Sequence, residues 1–160
     1  MSKNKRIKTN AARLLDMADV KYELIEYDAP NGFLDGISVA EQIGMPQETV
    51  FKTLVCVDTR GQYYVCDIPV ANSLNLKKAA KHFGEKKIEM LPSKMITEVT
   101  GYIKGGCSPI GMKKEYPTVI HASAENLPYI IVSGGRVGLQ IKLKTEDLLK
   151  VIDASFADLV

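Results

Sequence analysis

Val50-Phe51-Lys52-Thr53-Leu54-Val55-Cys56-Val57 is an almost unbroken apolar run rich in β-branched side chains. Such a run reads as a strand buried on both faces. Lys52 breaks the pattern. Burying an unpaired ammonium is costly or forces the group neutral. The side chain must therefore snorkel to water along its aliphatic stem, pair with an anion, or face a cavity. Asp58-Thr59-Arg60-Gly61 follows as a turn, and Tyr63-Tyr64-Val65-Cys66-Asp67-Ile68 reads as the return strand of a hairpin that Pro69 ends.

Upstream of this hairpin, residues 10–19 carry Ala11, Leu14, Leu15 and Ala18 on one helical face, with Thr9 or Asn10 as cap. A strand follows at Tyr22–Tyr27 and is broken by Asp28-Ala29-Pro30-Asn31-Gly32. Phe33 and Leu34 need apolar surroundings. Ser38-Val39-Ala40-Glu41 matches a capping box, and Gly44 supplies the helix stop. Downstream, Asn75 is placed to cap a helix that turns Leu76, Ala79, Ala80 and Phe83 inward and its lysines outward, with Gly84 closing it. Lys87–Met90 is a short extended piece. Ser93 reads as the cap of a short helix stopped by Gly101. The glycine-rich loop Gly105-Gly106-Cys107-Ser108-Pro109-Ile110-Gly111 comes next. Strands at Thr118–His121, Tyr129–Ser133 and Leu139–Leu143 follow, the last two joined by Gly134-Gly135-Arg136-Val137-Gly138. A final helix is capped by Thr145. The expected fold is α+β: one domain over residues 1–160, with a mixed, largely antiparallel, barrel-like sheet of six to seven strands flanked by helices.

The 160 residues suffice for one sizeable core. No apolar run approaches the roughly 18 residues that cross a bilayer. No signal-peptide segment follows the basic positions Lys3, Lys5, Arg6 and Lys8. A cytoplasmic protein with no membrane partner is expected. Cys56, Cys66 and Cys107 lack metal-ligand spacing and read as reduced thiols. A net charge of +2 excludes a strongly basic nucleic-acid coat. Lys77, Lys78, Lys81, His82, Lys86 and Lys87 nevertheless cluster, as a solvated helix face or a phosphate-contacting patch. Lys113 and Lys114 form a smaller cluster.

Much familiar chemistry is missing. Neither His82 nor His121 sits in a metal or nucleophile motif, and there is no nucleophile elbow, phosphate-binding P-loop or dinucleotide fingerprint. The Gly105–Pro109 loop lacks the Gly-Lys-Ser/Thr end of a P-loop. Its N–H groups suit an anion or carbonyl nest, and the segment equally suits a tight turn. Two glycine-rich turns and one strand lysine could converge on a pocket that offers electrostatic stabilisation without a protein nucleophile. Cys107 has no histidine near it in sequence and reads as a bystander.

Several segments in order carry a resemblance: Val50-Phe51-Lys52-Thr53-Leu54, Pro69-Val70-Ala71, Leu76-Lys77-Lys78-Ala79-Ala80, Gly101-Tyr102, Gly105–Gly111, Val132-Ser133-Gly134-Gly135, Gly138-Leu139 and Asp153–Asp158. The chain resembles the YbaK/EbsC family of aminoacyl-tRNA deacylases, most of all its Cys-tRNA(Pro) deacylase branch, whose domain type is also inserted in bacterial prolyl-tRNA synthetases. The resemblance implies release of a mischarged amino acid from tRNA without metal or organic cofactor. It implies Lys52 as the central functional lysine, and Thr53, Gly105, Gly106 and Ser133 as pocket lining. Tyr27 matches a pocket tyrosine, although the loop after it is shorter here. Gln140 stands where the cysteine-releasing enzymes have aspartate, so it hydrogen-bonds without carrying charge. In that chemistry the cysteine thiol attacks its own ester and leaves as a thiolactone, and the protein orients the ester and stabilises oxyanion charge. The expected partners are the 3′ end of mischarged tRNA and prolyl-tRNA synthetase, and not DNA. The other readings are a deacylase for a different small residue, such as Ala-tRNA(Pro), and a non-catalytic module that binds a tRNA end or nucleotide.

Overall fold

The computed structural model describes residues 8–160. The basic positions Lys3, Lys5 and Arg6 lie outside them. Among the described residues there are eight strands and five α-helices. They run α1 (Asn10–Met17), β1 (Tyr22–Glu26), α2 (Gly36–Ile43), β2 (Phe51–Asp58), β3 (Tyr63–Pro69), α3 (Leu76–Phe83), β4 (Ile88–Met90), α4 (Ile96–Thr100), β5 (Thr118–His121), β6 (Tyr129–Ser133), β7 (Leu139–Lys144), α5 (Thr145–Val151) and β8 (Ala154–Ala157). The class is α+β.

Two sheets form. One has the antiparallel order β1-β7-β6, and the other the order β4-β2-β3-β5-β8. In the second, β2 is antiparallel to β3 and β4, whereas β3-β5 and β5-β8 are parallel. A single parallel bridge, Val50 to Ile131, joins the sheets. Among the described residues, β1 and β8 each pair with one neighbouring strand. The expected six to seven strands become eight because Ala154-Ser155-Phe156-Ala157, an edge segment with little apolar signal, pairs with β5.

The hairpin forms as the sequence suggests, with Phe51 opposite Pro69 and Val57 opposite Tyr63. Pairing persists one step past Pro69, since Val70 N–H donates to Val50 O at 2.9 Å. β2 is covered on both faces. Phe51 joins the core under α1 and α5, and Val55 the cluster under α4. On the other face, Cys56 and Leu54 join the cluster under α3. β6 is sandwiched in the same way: Ile130 and Val132 face the α1–α5 core, and Ile131 packs with Val50, Ala40 and Val70.

Helix ends show which short-range signals held. Thr9 accepts from Ala12 N–H and Asn75 from Lys77 and Lys78 N–H, while Gly44, Gly84 and Gly101 end their helices at positive φ. Three expected caps fail. Asp35, not Ser38, caps α2, because helix geometry begins already at Gly36. Ser93 begins a 3-10 turn after Pro92 without a side-chain cap bond. Thr145 lies inside α5 and donates its hydroxyl to Leu127 O at 3.0 Å.

The chain's last residues tie elements together. Leu159 is fully buried beside Ile68, Ala79 and Val119. Its N–H donates to His121 Nδ1 at 3.1 Å, and its carbonyl accepts from Asn75 N–H at 2.7 Å. Leu159→Ala should therefore lower unfolding stability by about 2–5 kcal/mol, the usual range for a buried leucine. The check is urea denaturation. A loss well below 1 kcal/mol would show that this anchor contributes little.

Candidate active site

The β2–β3 ladder alternates. Asp58 N–H donates to Gln62 O and Val70 N–H to Val50 O, so even positions of β2 direct their backbone groups to β3. Odd positions direct theirs to the other edge, where Val55 O accepts from Leu91 N–H at 2.9 Å. β4 covers that edge only at 56–58, and β6 meets it only at Val50. The stretch between carries no further strand among the described residues, and the backbone N–H of Thr53 points out of it.

A cavity of about 420 Å³ wraps this bare edge, a volume typical of small-ligand sites. Lys52 and Leu54 reach it from one face of β2, Thr53 and Val55 from the other. Tyr27 and Gln140, Gly105 and Cys107, and Phe33, Leu34 and Asp35 ahead of α2 also line it. Leu34 thus finds apolar surroundings, whereas Phe33 stays 57% exposed at the rim.

Of the residues marked out by sequence, Lys52, Thr53, Tyr27, Gly105 and Gln140 line this one cavity. Gly106 and Ser133 do not. A Cβ on Gly106 would come within 2.7 Å of the Arg136 backbone, so that glycine lets the 105–111 loop press on the 134–138 turn. Ser133 pairs with Gln140 across β6 and β7, and its hydroxyl accepts from Gly135 N–H at 3.2 Å. That bond lies within the β6–β7 turn.

Charge in the cavity is mainly positive. Lys52 is half-buried, and an exposed second lysine, Lys104, stands beside Gly105. Asp35 at the mouth is spent on Ser38, accepting from its N–H at 3.1 Å and its hydroxyl at 2.7 Å. That bonding holds the carboxyl below its usual range. Gln140 is 7% exposed, and its Oε1 has no hydrogen-bond partner. Cys107 is no thiolate: burial, with a smaller push from Asp67, raises its thiol to about 12.

Asp67 is the residue that sequence reasoning passed over. It is fully buried opposite Thr53. The Thr53 hydroxyl donates to Oδ1, and Oδ2 has no partner. Burial pushes the carboxyl up to about 7, with the Thr53 bond pulling the other way. The available signal was a carboxylate inside an otherwise apolar return strand. Lys104 had a weaker one, a cation directly before a glycine pair.

Lys52, the outward backbone N–H of Thr53 and the unpartnered Gln140 Oε1 thus meet at one cavity, and its thiol, Cys107, is held protonated. The chain belongs to the aminoacyl-tRNA editing domain family, whose sequence profile matches residues 37–151. The EbsC protein of Enterococcus faecalis, named as a candidate Cys-tRNA(Pro)/Cys-tRNA(Cys) deacylase, is 43% identical over 152 residues, 95% of this chain and 93% of that protein. A proline–tRNA ligase of Trichlorobacter lovleyi is 29% identical over 94 residues, 59% of this chain and 16% of the ligase. Among solved structures, a candidate trans-editing enzyme for prolyl tRNA synthetase superposes with a TM-score of 0.81 at 23% identity, covering 96% of this chain and 98% of its own. Hypothetical protein APE2540 superposes with a TM-score of 0.83 at 20% identity, covering 94% and 98%. At these identities the structural likeness concerns the fold.

The Asp67 carboxyl carries a stability signature. Its folded pKa lies above the ordinary 3.8. Between those values the unfolded chain is ionised while the folded protein keeps its proton, so this group's contribution to stability is lost as pH rises through about 7. Asp67→Asn removes that loss. The stability of the variant relative to wild type should rise between pH 4 and 8, by up to about 4 kcal/mol. Denaturant titrations of both proteins at each pH test it, and a pH-independent difference would contradict the buried, raised carboxyl.

Proposed function

We propose that this protein is a trans-editing aminoacyl-tRNA deacylase that releases cysteine from mischarged Cys-tRNA(Pro). The observation that carries the reading is Lys52, a lysine in a buried strand whose side chain reaches a cavity that holds no activated nucleophile. The identity to EbsC over nearly the whole chain supports the substrate class.

An aminoacyl ester is already activated, and with cysteine attached the substrate brings its own thiol. Sulfur attacks the ester carbonyl, a C–S bond forms and the C–O bond to the ribose breaks. The thiol proton ends on the departing ribose hydroxyl, leaving a thiolactone and free tRNA. The protein's tasks are orientation and charge stabilisation. Lys52 supplies positive charge beside the developing oxyanion, and the outward N–H of Thr53 is the second donor. Lys104 at the rim suits the terminal phosphate. On α3, Lys78 is tied to Asp158 and Val160 O, while exposed Lys77 and Lys81 remain for phosphates of the acceptor stem.

No helix among the described residues is long and apolar enough to cross a membrane. We place the protein in the cytoplasm, with prolyl-tRNA synthetase as the partner that delivers substrate. The ligase similarity supports that partner.

A second reading rests on Gln140. An uncharged side chain at that cavity position weakens discrimination by charge and leaves selection to pocket size, about 1–3 kcal/mol per methylene. Cys-tRNA(Pro) should then be cleaved with only moderate preference over the alanyl and seryl esters.

Deacylation of a panel of charged tRNAs is the direct test. Wild type should cleave Cys-tRNA(Pro), and Lys52→Ala should reduce the rate by about 10²–10³ while unfolding normally. Near-normal turnover by the variant would remove Lys52 from the mechanism, and an inactive wild type would favour a non-catalytic binding module. In the same panel, Gln140→Asp should sharpen the preference for cysteine. Unchanged kcat/KM ratios would show that position 140 does not read the amino acid.

A further inference from the structure

Asp67 poses a question that packing does not answer. A fully buried carboxylate is expensive, and this one receives a single hydrogen bond while Oδ2 goes unpaired. An apolar side chain at the same place would stabilise the sheet better. What Asp67 does is hold Thr53, and Thr53 lines the cavity. A threonine hydroxyl has one hydrogen to give and two lone pairs. With its hydrogen directed at Asp67, the oxygen can only accept.

We propose that Asp67 is a positioning residue: by accepting the Thr53 hydroxyl hydrogen, it fixes Thr53 Oγ1 as an acceptor that, together with the unpaired Gln140 Oε1, receives the α-ammonium of the aminoacyl ester. The inference rests on the deacylase reading and names how that site recognises its substrate's charged amine. The cavity needs such a device. Lys52 and Lys104 repel an ammonium, and Asp35, the carboxylate at the mouth, is exposed and bonded to Ser38. Asp67 does not line the cavity, so its charge acts through the Thr53 O–H, which it polarises.

The groups that bear on Asp67 are the Thr53 hydroxyl from β2 and the thiols of Cys107, from the 105–111 loop, and Cys66, from its own strand. Burial and neighbouring groups raise both thiols, so they stay neutral. Ionised, Asp67 holds Thr53 as an acceptor. Protonated, it can itself donate to Thr53 and free that hydroxyl to turn into the cavity as a donor. The Asp67-dependent part of amine recognition should therefore weaken as pH falls through about 7; the amine of the ester gains its own proton over the same range, so this part is read as the difference between wild type and a Thr53 variant.

The experiment compares Cys-tRNA with the same tRNA carrying 3-mercaptopropionate, which keeps the thiol and ester and lacks the amine. Wild type should prefer the cysteinyl ester, mainly through KM, and its preference should exceed that of Thr53→Val by more at pH 8 than at pH 6, a comparison from which the substrate amine's own titration cancels. Thr53→Val should cut the preference about tenfold, the scale of one hydrogen bond to a charged group. It should also abolish the Asp67-dependent pH step, and Thr53→Ser should restore both. Asp67→Asn should flatten the pH step, and should add nothing to Thr53→Val because the two act as a unit. If Asp67→Asn fails to fold, the Thr53 pair measured across pH decides alone. Equal preferences and pH profiles in wild type and Thr53→Val would overturn the proposal, as would loss of the preference in Asp35→Asn instead. A wild type that cleaves neither ester would refute the deacylase reading itself, a result separate from these.

Discussion

The register of β2 on β3 is the constraint from which the site follows. It sets Lys52 opposite Ile68 and Thr53 opposite Asp67. A slip of one residue would send Lys52 into the face that Phe51 and Val55 now fill, and turn Thr53 toward the α3 cluster. The register is held from both sides at once, because Phe51 and Val55 are locked in two separate apolar clusters and Cys56 in a third. Those clusters also bear the cost of an ionisable group at position 67.

The glycines divide their labour in a way the sequence does not show. Gly105, at positive φ, faces the cavity, whereas Gly106 and Gly134 meet protein: Gly106 the Arg136 backbone, and Gly134 the Leu139 side chain. The two glycine-rich segments thus pack on each other more than they converge on a ligand. The β6–β7 turn supports the loop that lines the site, and Ser133 contributes by bonding within that turn.

Legibility tracked the range of the interaction concerned. The hairpin, the lysine that breaks its apolar pattern, the Thr9 and Asn75 caps and the glycine helix ends are local, and each was readable from a few neighbouring residues. β8 was not, because its pairing depends on β5, more than thirty residues away, and its own side chains say little. The caps at 38, 93 and 145 failed for a related reason. A serine or threonine near a helix start has several possible partners: at α2 the neighbouring Asp35 takes the cap because the helix begins at Gly36, and tertiary placement gives Thr145 the Leu127 carbonyl. Within the cavity, Lys52, Thr53, Tyr27, Gly105 and Gln140 came together from four distant segments, which the family resemblance anticipated and periodicity could not. Asp67 was overlooked because a single carboxylate in a strand has many ordinary explanations. Its significance appears only once burial and the missing partner of Oδ2 are seen together.

A bare strand edge is normally a hazard, since its unpaired backbone groups are a template on which another chain can add a strand and begin to aggregate. Here the uncovered part of β2 lies in a recess walled by Tyr27, Phe33, Leu91 and Gly105. A strand from another chain would have to displace those walls before it could pair with the edge. The walls that enclose the recess thus also shield the protein from its own bare edge. Variants that widen the recess would erode that protection and carry a solubility cost apart from any effect on activity.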